Sequence, residues 1–310
     1  MSIYVHLALA EPDIAALHAA TPGEQVHIAH PGSLTVHDRD AFAAAEIALG
    51  NCPPDWIDAS TTLRWLQLAS TGLDGYGHLA RRPEVRCTNL PGTFANPVAQ
   101  TCLAGILAHY RGLDRLAAWQ RSALWNRDAL RPQLRTLTGQ RALILGTGSI
   151  GRRLAELLTP FGCEVMTVGR HSGDITINDL DRVLPDADIV CAVLPGTDQT
   201  RHLLDRRRLS LMKTGALLLN AGRGSLIDED ALIDALRAGR LGGAVLDVTA
   251  QEPLPPDNPL WKCPNLLLTQ HTAGGSADEN RTTITVFADN LRRYRTGTPL
   301  RGLVDWQRGY

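Results

Sequence analysis

The run Ala142-Leu143-Ile144-Leu145 leads directly into Gly146-Thr147-Gly148-Ser149-Ile150-Gly151, and a helical pattern over residues 152–161 follows. A strand feeding such a turn and then a helix is the start of a βαβ unit, and it commits the surrounding chain to a parallel sheet. Each glycine has its own physical reason. Gly146 permits the tight turn, Gly148 lets the backbone approach a pyrophosphate, and Gly151 lets the helix pack close to the strand. The helix start, with Ser149 and Ile150 in its first turn, offers unpaired N–H groups and a partial positive charge to phosphates. The same six residues elsewhere would be a glycine-rich turn that binds nothing. Here the context predicts dinucleotide binding.

The rest of the chain keeps the same rhythm. Short apolar runs predict strands at 3–10, 25–29, 46–50, 65–69 and 85–88, then at 141–145, 164–168, 189–193, 217–220, 244–247 and 266–269. Helical patterns separate them at 13–20, 38–45, 55–62 and 277–295. Between the two sets lies a long apolar helix over 97–116, opened by Asn96-Pro97, and then a polar segment with Arg and Trp over 119–135. The later strands are apolar on both faces, as a sheet covered by helices on both sides requires. With 310 residues, about two domains are expected. The fold class is α/β, with two doubly wound parallel-sheet domains.

Several functions are disfavoured at this stage. The formal charge is −1, so no net basic field exists to hold a nucleic acid, and none is expected as a partner. Only Lys213 and Lys262 are lysines, which leaves 29 of the 31 basic residues as arginine, a coding bias rather than a site. The six cysteines form no CxxC pair and sit in apolar or mixed stretches. They read as buried free thiols of a reducing cytosol, and no metal site is expected. The start, MSIYVHLALAEPD, lacks the basic flank of a secretory signal, and no run approaches the ~18 apolar residues of a membrane span. A cytoplasmic protein without a membrane partner is the expectation.

The second strand of the dinucleotide unit bears on cofactor choice. Sites that prefer NAD place an acid about 20 residues after the glycines, to bond the ribose 2′-OH. Here that position is Gly169, and Arg170, His171 and Ser172 follow. A glycine leaves room for a 2′-phosphate, and Arg170 can pair with one bidentately while His171 or Ser172 adds hydrogen bonds. NADP(H) is therefore expected to be preferred over NAD(H). Otherwise Arg170 is a solvent residue on a surface turn.

Three further motifs follow strand ends, the edge of a parallel sheet where ligands bind. They are Asn220-Ala221-Gly222-Arg223-Gly224, then Asp247 with Gln251-Glu252-Pro253-Leu254, then Thr269-Gln270-His271-Thr272-Ala273-Gly274-Gly275. With Leu63-Arg64-Trp65-Leu66-Gln67-Leu68-Ala69-Ser70-Thr71-Gly72-Leu73-Asp74 and Asn96-Pro97-Val98-Ala99, the chain closely resembles the D-isomer-specific 2-hydroxyacid dehydrogenase family over nearly its whole length. The resemblance places the substrate-carboxylate Arg on Arg223, the acid/base His on His271 and the Glu paired with it on Glu252. It places the Asp on the nicotinamide side on Asp247, and the segment lining the adenine side on Pro195. The substrate-carboxylate loop, which uses backbone amides, falls on Ser70, Thr71, Gly72 and Leu73.

The chemistry agrees with these roles. Reducing a 2-keto acid takes a hydride to carbon and a proton to oxygen; a protonated His271 supplies the proton, and a partner carboxylate favours that protonated form. Arg223 fixes the substrate carboxylate. Residues 71–73, the 119–135 region and Trp261 are candidates to line the substrate pocket. The family implies a flavodoxin-like substrate-binding domain from 1–96 and 278–310, an inserted Rossmann NAD(P)-binding domain over 97–277, and a dimerisation arm over about 97–135, hence a homodimer.

Two residues depart from the family pattern: Gln270 stands where Pro is usual before the histidine, and Gln100 where Glu is usual after Pro97-Val98-Ala99. Glu252 argues against formate oxidation, since formate dehydrogenases of this fold carry Gln there. The leading expectation is reduction of a small 2-keto acid of the glyoxylate/hydroxypyruvate type to a D-2-hydroxy acid. Two alternatives share the motifs: a dinucleotide-sensing binding protein like the C-terminal-binding-protein corepressors, and oxidation of a donor such as phosphite.

Overall fold

The computed structural model describes residues 1–170 and 172–307, so the cofactor role expected of His171 lies outside the described residues. The chain divides into two compact units. The first comprises Met1–Phe94 and the segment from Ser276 onward, and the second Ala95–Gly275. The helix that opens the second unit begins at Ala95 and accommodates Pro97 in its first turn.

The first unit runs β1 (Ser2–His6), α1 (Glu11–Ala20), β2 (Gln25–Ala29), α2 (Val36–Ala43), β3 (Ile47–Gly50), α3 (Pro54–Ala59), β4 (Trp65–Gln67) and β5 (Arg86–Thr88). The strands pair in parallel in the order β2-β1-β3-β4-β5. The chain's C-terminal helix, Glu279–Arg295, returns to this sheet. Its Phe287 and Tyr294 rings stack on the buried Trp65 at centroid distances of 5.2 and 5.5 Å. Asn290, fully buried, donates from Nδ2 to Gln67 Oε1 at 2.9 Å.

The second unit begins with α4 (Ala95–Arg111), α5 (Leu113–Arg121) and α6 (Arg127–Leu130). The single helix expected over 97–116 is therefore two: Gly112, at φ 61°, enters the left-handed region and ends the first of them. There follow β6 (Arg141–Leu145), α7 (Ser149–Leu158), β7 (Glu164–Gly169), β8 (Ile175–Thr176), α8 (Leu180–Val183), β9 (Ile189–Ala192), α9 (Arg206–Leu211), β10 (Leu217–Asn220), α10 (Glu229–Arg237), β11 (Gly243–Leu246) and β12 (Leu266–Leu268). All seven strands are parallel, in the order β12-β11-β10-β9-β6-β7-β8. The two-residue β8 has no counterpart in the sequence reading, being too short to leave a pattern. The sheet order reverses beside β6, which leaves a crevice at the carboxyl ends of β6 and β9. Among the described residues no helix is long and apolar enough to cross a membrane.

The first unit's helix α2 is anchored by a reciprocal cap. Asp38 Oδ2 accepts from the Thr35 amide at 2.7 Å and its hydroxyl at 2.6 Å, and Oδ1 meets His27 Nε2 at 2.7 Å. The Thr35 hydroxyl first, and His27 next, hold the Asp38 carboxyl down at about 2. This folded value lies below the ordinary ~3.9, so the group's stabilisation is complete above about pH 4 and fades as pH falls towards 2. Asp38→Asn is expected to melt below wild type at pH 6, with the difference closing by about pH 2. A melting-temperature gap that does not change over that range would show that the carboxylate charge contributes nothing.

Candidate active site

The expected site residues of the second unit follow the carboxyl ends of six neighbouring strands. Read along the sheet, His271 follows β12, Asp247 and Glu252 follow β11, and Arg223 follows β10. Pro195 follows β9, the glycine turn follows β6, and Arg170 and Ser172 follow β7.

His271 and Glu252 are brought together: Nδ1 lies 2.6 Å from Oε2. The other carboxylate oxygen of Glu252 accepts the Thr249 amide at 2.9 Å, so both oxygens are engaged and the group is held in one orientation. With Nδ1 facing the carboxylate, Nε2 is the ring nitrogen left for a substrate. The half-exposed imidazole opens onto a cavity of about 420 Å³ lined also by Glu252, Leu254, Trp261 and Gln270. Trp261 is fixed there by its indole N–H, which donates to the Pro255 carbonyl at 2.8 Å.

The backbone that presents His271 is unusual. Gln270 and His271 both lie in the left-handed region, at φ 53° and 55°. Each such residue costs about 1–3 kcal/mol and persists only where its surroundings impose it. What imposes it is Asp247, buried at the end of β11. Its Oδ1 accepts from the Thr269 hydroxyl at 2.6 Å, the Thr272 amide at 3.0 Å and the Ala273 amide at 3.1 Å. Its own carbonyl accepts the His271 amide at 2.6 Å. The conformation also accounts for the departure at 270: a proline ring fixes φ near −65° and cannot follow this path.

Arg223 sits at a corner shaped by its neighbours. Asn220 Oδ1 accepts the Gly222 amide at 3.0 Å, and its Nδ2 donates to the Arg223 carbonyl at 2.9 Å. The segment after β9 presses against this corner. A Cβ on Gly222 would lie 2.5 Å from the Leu194 carbonyl oxygen, and one on Gly196 would lie 3.1 Å from Arg223 Cγ. Pro195 is thereby held between two residues that touch the arginine corner, and its carbonyl accepts the Thr200 hydroxyl at 2.7 Å.

The glycine turn separates packing from binding. A Cβ on Gly151 would sit 1.9 Å from the Gly146 carbonyl oxygen, and Gly146 itself is at φ 128°. Both are required by the fold. Gly148 is not: its φ is −71°, and a Cβ there would meet nothing within 4 Å. As N-cap of α7 it provides no side-chain acceptor, so the amides of Ser149, Ile150 and Gly151 face an open cradle suited to a pyrophosphate.

The reading of Gly169 is corrected. Its Cβ position is taken by the Ser172 carbonyl oxygen at 1.7 Å, with the Thr147 methyl at 3.0 Å. The glycine is there to let the turn close, not to leave room for a phosphate. Ser172 Oγ lies 2.8 Å from Thr147 Oγ1, which ties this turn to the glycine turn. Asp174, the nearest acid, is turned back onto Thr167, whose amide and hydroxyl donate to it at 2.7 and 2.9 Å. Arg170 is exposed.

The first unit carries the Ser70, Thr71, Gly72 and Leu73 loop. The Ser70 hydroxyl donates to the Gly72 carbonyl at 2.9 Å, the Thr71 hydroxyl to the Leu90 carbonyl at 2.8 Å, and Asn89 Nδ2 to the Thr71 carbonyl at 2.9 Å. The loop's shape is thus set by its oxygen atoms. Its amides at 71, 72 and 73 meet no acceptor among the described residues.

Gly148→Ala is expected to leave the melting temperature unchanged and to weaken dinucleotide binding at least tenfold by titration calorimetry, an order set by a lost charge-assisted contact of about 1.5–3 kcal/mol. Gly151→Ala should lower the melting temperature itself. Undiminished binding by Gly148→Ala would show that nothing approaches the turn there.

Residues 103–273 match the D-isomer specific 2-hydroxyacid dehydrogenase, NAD binding domain. Glyoxylate/hydroxypyruvate reductase B of Pectobacterium carotovorum subsp. carotovorum is 33% identical over 269 residues, covering 82% of this chain and 83% of its own. Two solved structures superpose over nearly the full length. A D-isomer specific 2-hydroxyacid dehydrogenase family protein from Aeromonas salmonicida subsp. salmonicida is 31% identical, with a TM-score of 0.86 and 98% of each chain covered. The D-isomer specific 2-hydroxyacid dehydrogenase from Xanthobacter autotrophicus, solved with NADPH and MES, is 30% identical, with a TM-score of 0.83 and 100% and 99% covered. The chain belongs to the D-isomer-specific 2-hydroxyacid dehydrogenase family, whose members are nicotinamide-dependent oxidoreductases.

Proposed function

We propose that the protein reduces a small 2-keto acid of the glyoxylate/hydroxypyruvate type to the D-2-hydroxy acid, with NADPH preferred over NADH. The observation that carries this is the His271–Glu252 pair at 2.6 Å, one strand from Arg223 at the same sheet edge. The glyoxylate/hydroxypyruvate reductase relative supports the substrate class.

When bound, the nicotinamide supplies the hydride. The chain does the rest. The cradle of Gly148 and the α7 amides would hold the pyrophosphate, with Pro195 and Asp247 as the expected neighbours of the adenine and nicotinamide sides. The Arg223 guanidinium, whose Nη1 also donates to the Gly222 carbonyl at 2.7 Å, would take the substrate carboxylate. His271 donates a proton from Nε2 to the carbonyl oxygen as negative charge develops there, and Glu252 at Nδ1 supports the imidazolium that must be present beforehand. In the reverse direction neutral His271 takes the hydroxyl proton.

Arg170 supports the NADPH preference: it is an exposed cation on the turn after β7, where the acid of that turn, Asp174, is occupied by Thr167. The apolar arm supports a homodimer. Leu113, Leu116, Leu124 and Trp125 are exposed, Trp125 by 91%, beside an apolar groove of about 770 Å³. A patch of this kind marks an interaction surface, and a second copy is its proposed cover. Five buried cysteines, none disulfide-bonded, support a reducing, cytoplasmic setting.

His271→Ala should lower kcat by at least ~10²-fold. Glu252→Gln should lower kcat and leave KM for the keto acid nearly unchanged, since the ring loses the carboxylate that meets its Nδ1. Near-normal turnover by His271→Ala at neutral pH would end the acid/base assignment. Arg223→Lys should raise KM for the keto acid and leave cofactor affinity nearly unchanged, because an ammonium cannot make the paired contact.

Cofactor choice is decided at low salt, where an exposed Arg–phosphate pair is least screened. Wild type should show higher kcat/KM with NADPH, and Arg170→Ala should cost NADPH about tenfold or more relative to NADH, the size of one charge-assisted hydrogen bond. Gly169→Asp offers no route to an NADH-preferring site, because the Ser172 carbonyl occupies the place of its Cβ. If NADH matches NADPH on the wild type, Arg170 is a solvent residue.

A further inference from the structure

Glu229, the first residue of α10, behaves unlike an ordinary helix-start acid. The helix already has its cap: Asp228 accepts the Ala231 amide at 3.0 Å. Glu229 instead turns away from its own helix, and its Oε1 accepts the Ala250 amide at 2.6 Å. It is partly buried, and that burial, with the Asp230 and Glu252 charges beside it, pushes its carboxyl up. Desolvating a carboxylate costs free energy, and here one short bond to a loop amide offsets it.

That loop is the one that carries Glu252. From Ala250 the connections run to both catalytic groups. The Thr249 amide donates to Glu252 Oε1 at 2.9 Å, and Glu252 Oε2 meets His271 Nδ1 at 2.6 Å. On the other side, a Cβ on Gly224 would lie 2.0 Å from the Thr249 carbonyl carbon and 2.4 Å from the Ala250 nitrogen. The backbone next to Arg223 is therefore in direct contact with the same two residues. The 249–252 loop is gripped between the arginine corner and the Glu229 carboxylate.

The geometry points to Glu229 as a positioning residue for the acid/base pair: by holding the Ala250 amide it fixes the loop that aims Glu252 at His271. This rests on the reading of His271 and Glu252 given above. The role belongs to the reach of the side chain and its acceptor oxygen, not to its charge.

Two substitutions separate reach from charge. Glu229→Asp keeps the charge, suits a helix start, and is one methylene too short to hold Ala250. Glu229→Gln keeps the length and an acceptor oxygen and loses the charge. Steady-state kinetics with glyoxylate and NADPH, and the low-field proton signal of His271 Nδ1–H by NMR, are measured on both and on wild type. Glu229→Asp should lose kcat by about tenfold or more, since misplacing a group by an ångström costs about a hundredfold. Its KM for NADPH should stay unchanged, and the Nδ1 proton signal should shift or vanish. Glu229→Gln should restore most of the kcat and the signal. Wild-type values for both readouts in Glu229→Asp, or a loss in Glu229→Gln equal to or greater than that in Glu229→Asp, overturns the positioning role. If wild type turns over no 2-keto acid while the proton signal still follows reach, the functional reading fails and the clamp stands.

Discussion

The pairing of His271 with Glu252 depends on one buried carboxylate. Asp247 closes the end of β11 and gathers three donors from the next strand's loop, Thr269, Thr272 and Ala273, while its own carbonyl takes the His271 amide. These bonds hold two successive residues in a backbone region that each would otherwise leave. Without them the histidine has no fixed direction, and the 2.6 Å contact with Glu252 has nothing to align it. Asp247 had been read as a neighbour of the nicotinamide. The structure adds that Oδ1 and the backbone carbonyl of Asp247 are already committed to the loop, so whatever it does for a cofactor it does while holding the histidine.

Around that point the sheet sorts the chemistry by position. A parallel sheet brings every strand's exit to one edge, and consecutive exits lie about 4.8 Å apart. The His271–Glu252 pair, Arg223, the glycine turn and Arg170 occur along that edge in spatial order, though they are scattered through more than a hundred residues of sequence. The proposed hydride transfer needs this layout, with substrate anchors at the β10–β12 end and the adenosine end towards β7.

Much of this was legible beforehand, and for physical reasons. Gly146 and Gly151 are forced by contacts under 3.1 Å, so their spacing marks the turn in any sequence that makes it. The strands of the second unit are short apolar runs because both faces are covered, and the sheet core repeats that pattern strand after strand. What escaped detection were features decided by tertiary contact. Gly112 breaks a helix that apolar periodicity continues without interruption. Gly169 looks like vacated space, and only the folded turn shows the Ser172 carbonyl filling it. Glu229 reads as a routine helix-start acid, because nothing in its neighbours along the chain announces a partner at Ala250.

The left-handed pair at Gln270 and His271 also bears on how this branch of the family could have diverged. The family pattern that the sequence resembles has proline before the histidine, and a proline ring fixes φ near −65°, a basin that Gln270 at φ 53° does not occupy. The two versions of the loop are not joined by a single conservative step. A proline introduced at 270 would have to rotate the peptide out of the arrangement that Asp247 enforces, and Gln270 placed in a proline-type loop would have no reason to enter it. Position 270 is thus a lock between two backbone solutions to presenting the same imidazole. Trp261 and Gln270 line the cavity beside that imidazole, so a change of backbone at 270 would reshape the wall that a substrate meets.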